Sequence, residues 1–108
     1  MSSGSNLIHV SGQVALDANG ALVGKGNLEA QVVQTLANIK ALVEAAGGRF
    51  SDIVRIGIFV TDRAHFPIVM EVRRRVFSPP YPTATALVVS GLVNPDWLVE
   101  IDAMAHIA

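Results

Sequence analysis

The sequence predicts a single soluble α/β domain in which two helices cover one face of one β-sheet. Three observations carry this expectation. The chain has 108 residues, the size of one ordinary domain. Hydrophobic residues make up 51% of it and charged residues 16%, a balance that can fill a core and leaves some apolar surface for burial against another subunit. Segments of strand period alternate with segments of helix period, which favours helices packed on a sheet.

The first strand candidate is Leu7 to Val14. It places Leu7, His9, Ser11 and Gln13 on one side and Ile8, Val10, Gly12 and Val14 on the other. Asp17 to Gly20 supplies a turn, with Asn19-Gly20 as its strongest signal, and Gly24 and Gly26 continue the loop. Leu28 to Ala46 reads as a helix because Leu28, Val32, Leu36, Ile39, Val43 and Ala46 recur at steps of three and four. Asn27 suits its N-cap and Gly47-Gly48 its end.

Ile53 to Thr61 is a strand, with Val54, Ile56, Ile58 and Val60 as its apolar face and Arg55, Gly57, Phe59 and Thr61 as a mixed face. A second helix runs from about Ala64 to Phe77, with Phe66, Val69, Met70, Val76 and Phe77 inward and Pro67 in its first turn. Ser78 to Pro82 breaks the chain. Thr83 to Ser90 is a third strand, Asn94-Pro95-Asp96 a turn, and Leu98 to Ile107 the last strand. That strand turns Val99, Ile101, Ala103, Ala105 and Ile107 inward and Glu100, Asp102, Met104 and His106 outward. The order is β-α-β-α-β-β. With both helices on one sheet face, no element remains to cover the other, which carries threonines, carboxylates and a histidine.

Several function classes are disfavoured at once. Net charge is -1 without a basic stripe, so neither a nucleic acid nor an anionic membrane is an expected partner. There is no cysteine, which excludes disulfides, thiolate metal sites and cysteine nucleophiles. No apolar run approaches the roughly 20 residues of a membrane span. Met1 to Ser5 lack the basic and apolar regions of a signal peptide and read as a leader or an expression scar, leaving residues 6–108 as the domain and the cytoplasm as the expected location.

The chemistry-bearing residues leave alternatives. His9, His65 and His106 show no metal-ligand spacing, and scattered surface histidines are the simpler reading. Arg73-Arg74-Arg75 fan out around a helix and fit a solvated or interfacial face. Gly12 either admits a ligand close to the backbone or marks a bulge. Glu100 and Asp102 lie on one strand face, about 7 Å apart along the backbone. An enclosed face would let one of them shuttle a proton to or from a water. An open face leaves both as solvated charges.

Taken together, the segments Leu7-Ile8-His9-Val10-Ser11-Gly12-Gln13, Asn38 to Gly47, Asp52-Ile53-Val54 through Phe59-Val60-Thr61-Asp62, Tyr81-Pro82-Thr83 and Val99 to Ala105 resemble the Rid/YjgF family of reactive-intermediate deaminases. The resemblance implies an α+β, chorismate-mutase-like fold: one mixed sheet with the last strand between the first and second, and two helices on one face. It implies a homotrimer whose sheets face inward, small-molecule ligands in clefts between subunits, and hydrolysis of enamines and imines without metal or cofactor. By resemblance, Asp102 takes the place of a water-handling glutamate, Gly12 is a site glycine, and Thr85 and Ala86 present backbone groups to ligand. Thr83 and Thr85 would add hydroxyls.

Three departures stand out. Ala84 occupies the position of the arginine that grips the substrate carboxylate. Asp102 is one methylene shorter than glutamate. A strand and a site tyrosine that usually precede the Ser-Gly-Gln strand are not found ahead of Leu7. The expected function is therefore hydrolytic deamination of an enamine or imine other than a 2-imino acid, with catalytic Asp102 and substrate-binding Gly12, Thr83, Ala84, Thr85 and Ala86. The alternative is a trimer that binds a small metabolite without turning it over. Arg55 or Arg63 from a neighbouring subunit is a candidate substitute for the absent anchor.

Overall fold

The computed structural model describes residues 6–107; the leader reading of Met1 to Ser5 lies outside them. Four strands, β1 (Asn6–Gln13), β2 (Ile53–Val60), β3 (Thr83–Val88) and β4 (Val99–Ile107), and two helices, α1 (Leu28–Ala45) and α2 (Phe66–Val76), follow in the order β1-α1-β2-α2-β3-β4. The sheet order is β1-β4-β2-β3. β4 pairs antiparallel with both β1 and β2, whereas β2 and β3 are parallel, joined through α2. This is the mixed α+β arrangement expected, with the last strand inside the sheet.

The core lies between the helices and one sheet face. Val32, Leu36, Ile39 and Val43 of α1 and Val69 and Val72 of α2 pack with Ile56, Ile58, Val60, Val99, Ile101 and Ala105. The helix start and stop follow their local chemistry. Asn27 Oδ1 accepts from the Ala30 amide at 3.0 Å. Gly47, at φ 93°, turns the chain so that the Gly48 amide bonds to the Val43 carbonyl at 2.9 Å and the Gly47 amide to Glu44 at 3.0 Å. The turn after β1 closes on Asp17, whose Oδ1 accepts from Asn19 at 2.8 Å and from Ala21 at 3.0 Å, with Gly20 at φ 79°.

Several side chains depart from simple periodicity. β2 turns Ile53 inward and leaves Val54 exposed, because its register with β4 slips between Ile53 and Arg55. Ala46 is exposed, and Val76 lies on the outer side of α2 while Val72 is buried. Gln31 is fully buried on α1. Its Nε2 donates to the carbonyls of Gly24 at 3.0 Å and Asp96 at 3.1 Å, and its Oε1 accepts from the Leu98 amide at 2.9 Å. This one side chain ties two loops to the helix, and the backbone groups of those loops satisfy its own buried amide. Asn38 does similar work at the end of β1, donating to the carbonyls of Val14 and Leu16.

Candidate functional site

The sheet face away from the helices is uncovered. Cross-strand register places Leu7, His9, Met104, His106, Arg55, Thr83, Gly57, Asp102, Thr85, Phe59, Glu100 and Leu87 on it. Two glycines shape this face on either side of β4. Gly12 lies in a bulge of β1, where the register slips between Val10 and Gln13. A Cβ there would overlap the Glu100 carboxylate. Gly57, opposite Asp102 on β2, is buried, and a Cβ there would overlap Oδ1 of Asp102. Each missing side chain thus lets a β4 carboxylate lie down over the neighbouring strand. Gly12 thus marks a bulge, with the Glu100 carboxylate where its side chain would be.

Asp102 borders a hollow of about 350 Å³ lined also by His9, Ser11, Arg55 and Met104. Its side chain is 38% exposed, yet Oδ1 is buried and accepts no hydrogen bond. The nearest cation is Arg55, with Nη1 3.7 Å from Oδ1, too long for a hydrogen bond but close enough for attraction. A larger groove of about 670 Å³ runs between α1 and the segment after β1. The carboxylate there, Asp17, already accepts two backbone amides, whereas Asp102 in the smaller hollow accepts none from the described residues.

The sequence-predicted set divides in two. Asp102 and Gly12 lie on the bare face, and Thr83 and Thr85 share that face one strand beyond β2. The Thr83 hydroxyl donates to the Val54 carbonyl at 3.1 Å, so it is engaged at the β2 irregularity. Ala84 and Ala86 pair with Ile56 and Ile58 and therefore point to the helix side, Ala86 packing against the core. Within one protomer β2 separates them from Asp102.

Three polar residues of the hollow were not in the predicted set: His9, Ser11 and Arg55. Arg55 was considered only as a contribution from a neighbouring subunit, whereas it reaches Asp102 of its own chain. Its place on the mixed face of β2, two residues from Gly57, was the available signal. In the arginine run on α2, Arg74 and Arg75 are solvated as expected, and Arg73 alone is partly buried. Arg73 Nη2 donates to the Pro82 carbonyl with Cζ 5.8 Å from the Tyr81 ring centroid, while Arg74 and Arg75 pair with Glu71 and Glu29. Among the described residues no three His, Asp or Glu side chains form a metal-binding group, and no helix is long and apolar enough to cross a membrane.

The family model described as Endoribonuclease L-PSP matches residues 3–107. The chain belongs to the Rid/YjgF family. Among its relatives is the 3-aminoacrylate deaminase RutC of Acinetobacter baylyi, 36% identical over 102 residues that cover 94% of this chain and 80% of the relative. A RutC family protein of Pyrococcus horikoshii is 34% identical over 101 residues, covering 94% and 79%. The crystal structure of RidA from an Antarctic Psychrobacter superposes with a TM-score of 0.88 at 34% identity, covering 99% of this chain and 85% of that one. Rid membership accounts for the strand order and for the two helices on one face.

Proposed function

We propose that this Rid-family protein is a hydrolytic deaminase of enamine- or imine-type reactive metabolites, working in a cleft between subunits of a homotrimer. The observation that carries the reading is Asp102: a carboxylate that lines an accessible hollow, 38% exposed although its Oδ1 is buried, and that accepts no hydrogen bond from the described residues. Such a group can take a proton from water. An enamine first gains a proton from solvent at its β-carbon and becomes the iminium ion, the protonated imine. Water then attacks the C=N carbon while Asp102 accepts one water proton, giving a neutral carbinolamine. That proton returns to nitrogen, the C–N bond breaks, and ammonia leaves as the hydroxyl gives up its proton to solvent and the carbonyl forms. No redox partner enters the balance. The deaminase name of the Acinetobacter relative supports the reaction class.

The division of the site supports the trimer. Ala84 and Ala86 at the exposed β3 edge meet an Asp102 face only if another copy supplies it. Because Ala84 offers no guanidinium there, the substrate is other than a 2-imino acid gripped at that edge. The test is ammonia release from imines generated in situ. The wild-type protein is expected to accelerate it and Asp102→Asn to abolish the acceleration; equal rates would remove Asp102 from the mechanism.

Ala84 also favours a second reading, a trimer that binds a metabolite without turnover. A concentration-dependent rise in melting temperature with a metabolite, and no ammonia from any imine, would select it.

A further inference from the structure

The geometry points to Arg55 as the residue that reads the acidic group of the ligand, so that the hollow takes a small carboxylate rather than a neutral imine. The inference rests on the hollow around Asp102 being the site proposed above. Arg55 is the arginine that faces it. Arg49 pairs with Asp52, Arg74 with Glu71 and Arg75 with Glu29, and Arg73 is held by the Pro82 carbonyl. Arg63 lies in the short 3-10 turn Arg63–His65 beyond the far end of β2.

The Arg55 side chain makes no hydrogen bond among the described residues and is 43% exposed. All its N–H donors remain for a ligand, in the planar fork that matches a carboxylate bidentately. Its one charge contact, 3.7 Å from Asp102, joins two side chains that are each more than a third exposed, a class of pair that water screens and that adds little to folding. The guanidinium is thus weakly used by the fold and well placed for a substrate. Standing beside Asp102, it offsets the repulsion between that carboxylate and an incoming one. The Ser11 hydroxyl and His9 imidazole, on the β1 side of the hollow, are placed to contact the ligand's remaining polar atoms. An acid group on Arg55 and a water on Asp102 would lie within a few ångströms of each other. The reacting C=N carbon then sits close to the acid group, and the substrate is compact.

The experiment compares binding of 2-oxobutyrate, a small oxo-acid product analogue, with its neutral amide by titration calorimetry. It uses the wild type, Arg55→Met and Arg55→Lys. Wild type is expected to bind the acid roughly tenfold or more tightly than the amide. Arg55→Met should bind both alike, and Arg55→Lys should keep part of the preference. Melting temperatures close to wild type would show that both variants fold. The inference is overturned if wild type shows no preference for the acid, or if Arg55→Met retains it. Ammonia release separates this from the proposed reaction. No turnover with the acid preference intact would sink the enzyme reading and leave the anchor. Turnover in which Arg55→Met lowers kcat but not KM would reduce Arg55 to a residue that positions Asp102, and would sink the anchor.

Discussion

Gly57 matters because of what it leaves out. The space where its side chain would be is filled by the Asp102 carboxylate, and the atom in the way of a new methyl is the end of a movable side chain. Gly57→Ala is therefore expected to cost no more than about 1–2 kcal/mol of stability, the lower range for overpacking. It should nevertheless reduce ammonia release about as far as Asp102→Asn does. Thermal melts and the ammonia assay together check this; a variant that deaminates like wild type would show that Asp102 needs no such bed. At this scale the sequence was partly legible. It marked Asp102 and Gly12, but it could not show that Gly12 answers to Glu100 and Gly57 to Asp102. Those partnerships depend on which strand lies beside β4, and no local pattern encodes that.

At the scale of elements, periodicity located all four strands and both helices, and it failed where backbone irregularity or a polar exception intervened. The alternation of β2 read Val54 as inward, and the register slip after Ile53 moves it out. Gln31 lies outside the inward stripe of Leu28, Val32, Leu36, Ile39, Val43 and Ala46 read from the sequence, although it is fully buried. A polar residue carries no sequence mark of three backbone partners that lie up to 67 residues away. Gln31→Ala should leave the Leu98 amide and the Asp96 carbonyl without the partners they have here, and the Gly24 carbonyl with the Asn27 amide alone, and cost about 2–4 kcal/mol. Val54→Thr, on the exposed irregularity, should stay within about 0.5 kcal/mol of wild type. Urea denaturation of the two variants measures the contrast, and similar midpoints would remove the clamp role given to Gln31.

At the scale of the whole molecule, the uncovered face sets the expectation. Leu7 and Leu87 are each about half exposed there, and Phe59 and Met104 lie between them. Large apolar side chains left together on a small domain are the usual mark of an interface. Light scattering is expected to give three times the protomer mass of 11.4 kDa. Leu87→Lys should shift the population toward protomers and lower ammonia release with it, since the proposed cleft needs two copies. A fully active single protomer would end the trimer reading. The sequence foreshadowed this surface by leaving one sheet face without a helix. Which copy meets which edge is a matter of docking geometry, which a single chain does not spell out.

The position of β4 between β1 and β2 has a consequence for synthesis. β1 and β2 share no ladder with one another; each is bonded to β4, the last of the four to be made. Until residue 107 has left the ribosome, a nascent chain holds at most the β2-β3 pair, with β1 waiting and strand edges open. Edges of that kind invite pairing with other chains. The sheet closes only when its middle strand arrives, so slowed synthesis is expected to leave these edges open longer than in a fold built outward from its first strand.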